Sequence, residues 1–224
     1  MIALLDYGAG NLTSVRKGFA AAGAELTTPR TPADLAAATA IVVPGVGHFR
    51  ATTPLGGEWR DSILHALEAG AALFGICLGL QWLFDSSTEA DDVPGLGLMS
   101  GRCERLPSTV KVPHVGWNAL APTRASRLLD GIPAGAQVYF THSFAAPVTA
   151  DCVASATHAL RAAVQTQRQV GYVFSGSEPT LMASITLAAP WSVPLLAFSV
   201  IRRPNSENCS TSVSSSSPWF DRSL

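Results

Sequence analysis

The chain has 224 residues, of which 47% are hydrophobic and only 14% charged, and its formal net charge is −1. Roughly one domain with a sizeable core fits that length. The even charge balance offers no basic stripe to nucleic acid. No apolar run suits a membrane span, because the nearest candidate, Leu181 to Val200, is broken by Pro190 and Pro194. Cysteines at 77, 103, 152 and 209 have neither metal-ligand spacing nor the pattern of a disulfide frame. They suit a reducing cytoplasm, and no metal or cofactor is expected.

The N-terminal MIALLDYGAG has no positive region and no long apolar stretch, so it reads as a first strand rather than a signal peptide. Ile2 to Leu5 is the buried strand, followed by a helix from Asn11 to Ala22 with Asn11 as its cap. Leu26 to Thr28 reads as a second strand and Ala33 to Ala38 as a short helix. Ile41 to Val43 is a strand that stops at Pro44. Glu58 to Glu68 is helical, with apolar residues at 59, 63, 64 and 67 on one face. Alternating strands and helices predict an α/β fold: a doubly wound, mostly parallel sheet flanked by helices, with ligands at the carboxyl ends of its strands. From about residue 95 to 155 short strand patterns dominate, such as Lys111 to Pro113 and Val138 to Phe140.

The most informative string is GICLGLQ, residues 75–81. It puts Cys77 on a bend between the apolar strand Ala72-Leu73-Phe74 and a helix that starts near Leu78 and carries Gln81, Trp82, Leu83 and Phe84. A nucleophile on such an elbow has a strained backbone, an exposed side chain and backbone N–H groups beside it. The helix N-terminus favours a thiolate. Glycines at 75 and 79 allow close approach of other backbone. An inert core cysteine fits this string alone equally well. Two further Gly-rich strings, DYGAGN (6–11) and PGVGHF (44–49), fall at neighbouring strand ends, which favours a site.

These strings, with VPGLGL (93–98), VPHVGWN (112–118) and YFTHSF (139–144), resemble in order and spacing the glutamine amidotransferase subunits of imidazole glycerol phosphate synthases, a branch of the class I glutamine amidotransferase family. The resemblance covers residues 1–158. It implies the class I amidotransferase fold and a glutaminase in histidine biosynthesis. Cys77 would attack the side-chain carbonyl of glutamine to give a thioester and ammonia. Leu78 and the Gly45-Val46-Gly47 loop would hold the oxyanion, where one donor is typically worth ~3 kcal/mol. Gln81 and Glu89 match glutamine-binding positions. Trp117, Asn118 and Tyr139 match positions facing a separate cyclase subunit, the heterodimer partner that would receive the ammonia. Neither a nucleic acid nor a membrane is an expected partner.

The five histidines, 48, 65, 114, 142 and 158, read as packed or capping rather than catalytic. The family continues to a string like GVQFHPEKS, which supplies a catalytic His and its orienting Glu. No HPE string occurs here; by spacing the base should fall near residue 177, where the chain reads Phe174-Ser175-Gly176-Ser177-Glu178. Residues 1–158 are therefore read as an amidotransferase domain incomplete at its C-terminal end. Residues 159–224 are read as an atypical tail, frameshifted or disordered, with a Ser-rich run from Ser206 to Ser217. Back-translation of Leu195 to Arg203, shifted by one base, can yield a GVQ-x-HPE string. Two functions follow: the glutaminase subunit, or a catalytically inactive relative that binds a partner but lacks the His-Glu pair.

Overall fold

The computed structural model describes residues 1–129, 131–158, 169–175 and 181–183. The position near 177, the Ser-rich run and the Leu195 to Arg203 segment lie outside the described residues.

The first half builds a parallel sheet. Strand β1 (Ile2–Leu4) leads to helix α1 (Leu12–Ala21), strand β2 (Leu26–Thr27) and strand β3 (Ala40–Val43). Helix α2 (Glu58–Glu68), strand β4 (Ala72–Gly75) and helix α3 (Leu78–Trp82) follow. The sheet order is β2-β1-β3-β4, all parallel, with Ala3 opposite Ile41 and Ile41 opposite Leu73. Side chains alternate across a strand. Ala3, Ile41, Val43 and Leu73 therefore bury on one face with Leu35, Phe49 and Ile63 of α2, while Ile2, Leu4, Val42 and Ala72 bury on the other with Phe19 of α1. Burial on both faces is what makes these strands near-continuous apolar runs. Each large side chain so buried contributes roughly 1.5–3 kcal/mol.

Local signals set the helix ends. Asn11 caps α1, its Oδ1 accepting the Ser14 N–H at 3.1 Å. The expected helix Ala33 to Ala38 is a 3₁₀ helix, Pro32–Ala37, entered through a capping box in which Asp34 accepts the Thr31 N–H at 2.9 Å. A second 3₁₀ helix, Phe49–Leu55, gave no periodic signal in the sequence; Pro54 and two threonines disguise it. Helix α3 is shorter than expected, because Phe84 starts a new strand, β5 (Phe84–Ser87).

The second half is largely antiparallel. Strand β6 (Met99–Arg105) runs parallel to β5. Strand β7 (His114–Ala119) and strand β9 (Gln137–His142) form an antiparallel pair, with Trp117 opposite Tyr139. Strand β8 (Ala121–Pro122) lies beside β11 (Cys152–Thr157), and β10 (Phe144–Ala145) beside β6. Strands β12 (Gln169–Ser175) and β13 (Leu181–Ala183) continue the β11 sheet. The strand expected at Lys111 to Pro113 is instead a bend; Pro113 has no N–H for a ladder, and pairing starts at His114.

Candidate active site

Three loops meet at the carboxyl ends of β1, β3 and β4, and glycine is what lets them meet. A Cβ on Gly79 would overlap the Val43 carbonyl oxygen, and one on Gly45 would sit 2.6 Å from the Tyr7 hydroxyl and 2.8 Å from the Gly79 nitrogen. The Ile76 N–H donates to the Val43 carbonyl at 2.9 Å, tying the elbow to the end of β3. Tyr7 donates its hydroxyl to the Pro44 carbonyl at 2.5 Å. Burial, and then the nearby Cys77 sulfur, push the Tyr7 phenol well above its ordinary range, so it stays a donor.

Cys77 stands at the head of α3 with φ 53° and ψ −109°. Among the described residues no other non-glycine has a positive φ. Such a conformation costs on the order of 1–3 kcal/mol and persists only where the surroundings enforce it. Here the enforcing contacts are the packed glycines and the Gly79 N–H to Ile76 carbonyl bond of 2.9 Å. The Cys77 side chain is half-buried and faces a cavity of about 470 Å³.

That cavity gathers most of the residues singled out in the sequence. Gly45, Val46, Gly47, Cys77, Leu78, Gln81 and Glu89 all line it. Val46 is 56% exposed, so the middle of the PGVG loop faces open space. Gln81 is not a solvated helix residue: its amide donates to the Phe144 carbonyl at 3.2 Å, bridging α3 to β10. Glu89 accepts the Phe49 N–H at 2.7 Å, which fixes one carboxylate oxygen at the cavity rim.

Trp117 and Tyr139 do not line the cavity. Their rings meet edge to face, with centroids 5.4 Å apart, on the outer face of β7 and β9. Thr141 shares that face two residues beyond Tyr139 and does line the cavity, so the face runs up to its mouth. Asn118 departs from expectation. Strand alternation turns it away from Trp117, and its side chain instead contacts His114 at 2.7 Å and donates to the Thr157 carbonyl.

The histidines divide as their surroundings dictate. His48 caps the second 3₁₀ helix, accepting the Arg50 N–H at 3.1 Å. His65 lies in the last turn of α2. His142 lines the cavity, yet both of its ring nitrogens are engaged, one with Phe144 and one with His114. Both nitrogens are turned to Phe144 and His114 rather than to Cys77. Burial pushes His142 down to about 4 and also lowers His114.

Sequence reasoning gave Tyr7 no role of its own, although it lies inside the DYGAGN string. It also missed the wall that α1 supplies through Asn11, Ser14 and Val15. An apolar stripe on a helix marks a buried face but not what the face borders. Among the described residues no His, Cys, Asp and Glu group is placed to hold a metal ion, and no helix is long and apolar enough to cross a membrane.

Comparison with known proteins agrees with this arrangement. The chain is 44% identical over 161 residues to the imidazole glycerol phosphate synthase subunit HisH of Natronomonas pharaonis, covering 70% of this chain and 74% of that one. It is 48% identical over 164 residues to the HisH subunit of Gloeobacter violaceus, covering 70% and 72%. Among solved structures, a glutamine amidotransferase crystal structure superposes with a TM-score of 0.55 at 19% identity, covering 68% of this chain and 78% of the other, a likeness of fold. The class I glutamine amidotransferase model matches residues 3–173, past the boundary drawn at 158. With a strained cysteine elbow, two glycine loops locked against it and relatives of this closeness, the chain belongs to the class I glutamine amidotransferase family.

Proposed function

We infer that this chain is the glutaminase subunit of an imidazole glycerol phosphate synthase, working in the cytoplasm beside a cyclase subunit. The observation that carries the reading is Cys77, held at φ 53° in one cavity with the Gly45–Gly47 loop, Leu78, Gln81 and Glu89. The Cys77 sulfur attacks the side-chain carbonyl carbon of glutamine, and the carbonyl electron pair moves onto oxygen. The N–H groups of Leu78 and the PGVG loop receive that oxyanion. Collapse breaks the C–N bond; the nitrogen takes up the proton that the Cys77 thiol gave up and leaves as ammonia, and a thioester remains. Water then cleaves the thioester to glutamate and returns the thiol. Glu89 faces the substrate's amino group, and Gln81 contacts the bound glutamine. The outer face with Trp117 and Tyr139 covers the cyclase, which joins the ammonia to a phosphorylated ribulosyl nucleotide.

The HisH names of the relatives and the coincidence of the cavity with the family's strings support this reading. It is tested by glutamate and ammonia release with the cyclase and its nucleotide ligand present, comparing the chain with Cys77→Ala. Equal release from both, at a rate above that without protein, would overturn the assignment of Cys77. A well-folded chain that fails to bind the matching cyclase in a pull-down would overturn the assembly.

A further inference from the structure

His114 and His142 are cross-strand partners in β7 and β9, and four contacts string them between two backbone carbonyls. At one end the Phe144 carbonyl lies 2.9 Å from Nδ1 of His142. A carbonyl only accepts, so this Nδ1 carries a hydrogen. At the other end the Thr157 carbonyl takes the Asn118 amide N–H, which turns Oδ1 of Asn118 toward Nε2 of His114 at 2.7 Å. That oxygen also only accepts, so Nε2 of His114 carries a hydrogen. The two remaining nitrogens, Nε2 of His142 and Nδ1 of His114, face each other at 3.1 Å. A neutral imidazole has one N–H, and each ring has already used it. Two bare lone pairs would meet in the middle, and one additional proton there completes every contact.

We propose that His114 and His142 bind one proton as a unit, and that this shared proton positions the cavity wall opposite Cys77. The link to the cavity is the Phe144 carbonyl, which accepts from His142 Nδ1 and from Gln81 Nε2 alike. With the proton bound, the chain from Thr157 to Gln81 is closed. Without it, the central contact is repulsive, and one of the end contacts must open.

The groups that face the pair set where it titrates. His158 stacks on His114 with ring centroids 3.9 Å apart and disfavours a second positive charge. Its own Nε2 donates to the Lys111 carbonyl at 2.8 Å. Cys77 and Glu89 border the cavity that His142 lines. Burial resists the charge and places the shared midpoint on the acid side of the ordinary imidazole value. The closed chain is therefore the form below the midpoint, and rising pH opens it.

Nitrogen NMR of the labelled full-length chain tests this without any catalysis. The imidazole nitrogens of His114 and His142 should move together, with one midpoint and one proton between them, and the side-chain amide of Gln81 should move with the same midpoint. Asn118→Asp should raise that midpoint by about one pH unit, since it places a negative charge on His114 Nε2. Asn118→Leu removes the acceptor that demands a hydrogen on that nitrogen, satisfies the neutral pair and should lower the midpoint. Separate midpoints for the two rings, or a shared midpoint indifferent to both substitutions, would overturn the shared proton. A Gln81 amide that ignores the titration would overturn its positioning role.

Discussion

On the Cys77 side of the cavity backbone packs on backbone, whereas on the Thr141 to Phe144 side side chains hold one another across strands. Gly45 and Gly79 let the ends of β3 and β4 touch, and there is no space there for even a methyl group. Across the cavity, His142, His114 and Asn118 span β9 and β7 by hydrogen bonds. Close backbone packing has one solution and resists substitution. A side-chain network can rearrange when a proton or a partner changes. The rigid side suits a nucleophile and its oxyanion donors, which must be placed within a fraction of an ångström. The adaptable side borders the face assigned to the cyclase.

The largest expected effect concerns what the rigid side needs to turn over. No histidine follows His158 in the chain, and the nitrogens of His142 are engaged. General acid–base help is worth about 10²–10⁴-fold. A version of the gene reading the shifted frame, so that GVQ-x-HPE follows YFTHSF, should release ammonia faster by about that factor in the presence of cyclase and its ligand. Equal rates from the two chains would mean that another residue serves as the base.

Next comes the packing itself. Gly79→Ala drives a methyl into the Val43 carbonyl, a backbone atom that cannot swing aside. The expected cost is about 3 kcal/mol or more, at the upper end of overpacking. Urea unfolding would read it as a lower midpoint with an unchanged slope. Asn118→Leu, on the adaptable side, should cost clearly less. The reverse order would break the comparison.

Parts of this contrast were legible in the sequence and parts were not. DYGAGN, PGVGHF and GICLGLQ announced the rigid side, because backbone contact demands glycine and glycine is visible in a sequence. Short apolar runs placed β1, β3 and β4, and a cap and a 3.6-residue period placed α1 and α2, to within a residue or two. The adaptable side was opaque. That Asn118 turns inward to His114 while Trp117 faces out depends on β7 running as a strand through both residues, and the bend at Pro113 hid where that strand begins. That His142 would line the cavity follows from its pairing with His114, 28 residues away, which no local pattern encodes.

A third test uses pH. Cys103 is fully buried in the main core, and burial pushes its thiol up to about 12. The unfolded thiol ionises near ~8.5. Between those values the unfolded chain loses a proton that the folded chain keeps, so stability falls as pH rises from about 9. The loss should reach about 1–2 kcal/mol near pH ~10, and Cys103→Ser should flatten that slope. The same burial should leave Cys103 unlabelled by a thiol reagent while Cys77, at the cavity, reacts.

The smallest effect sharpens the comparison most. Tyr7 is where the rigid side relies on a side chain: its hydroxyl bonds the Pro44 carbonyl, and its oxygen fills the space a Gly45 side chain would need. Tyr7→Phe keeps the ring and removes only the donor. The expected loss is about 1 kcal/mol, the net worth of one partly buried hydrogen bond. The Pro44–Gly45 peptide would then be held by packing alone. If packing is what fixes this side, the backbone amide signals of Gly45 to Gly47 should hardly shift in Tyr7→Phe. If they broaden or move as far as those of Thr141 to Phe144 do in Asn118→Leu, the rigid side is held by its hydrogen bond after all, and the distinction between the two walls is lost.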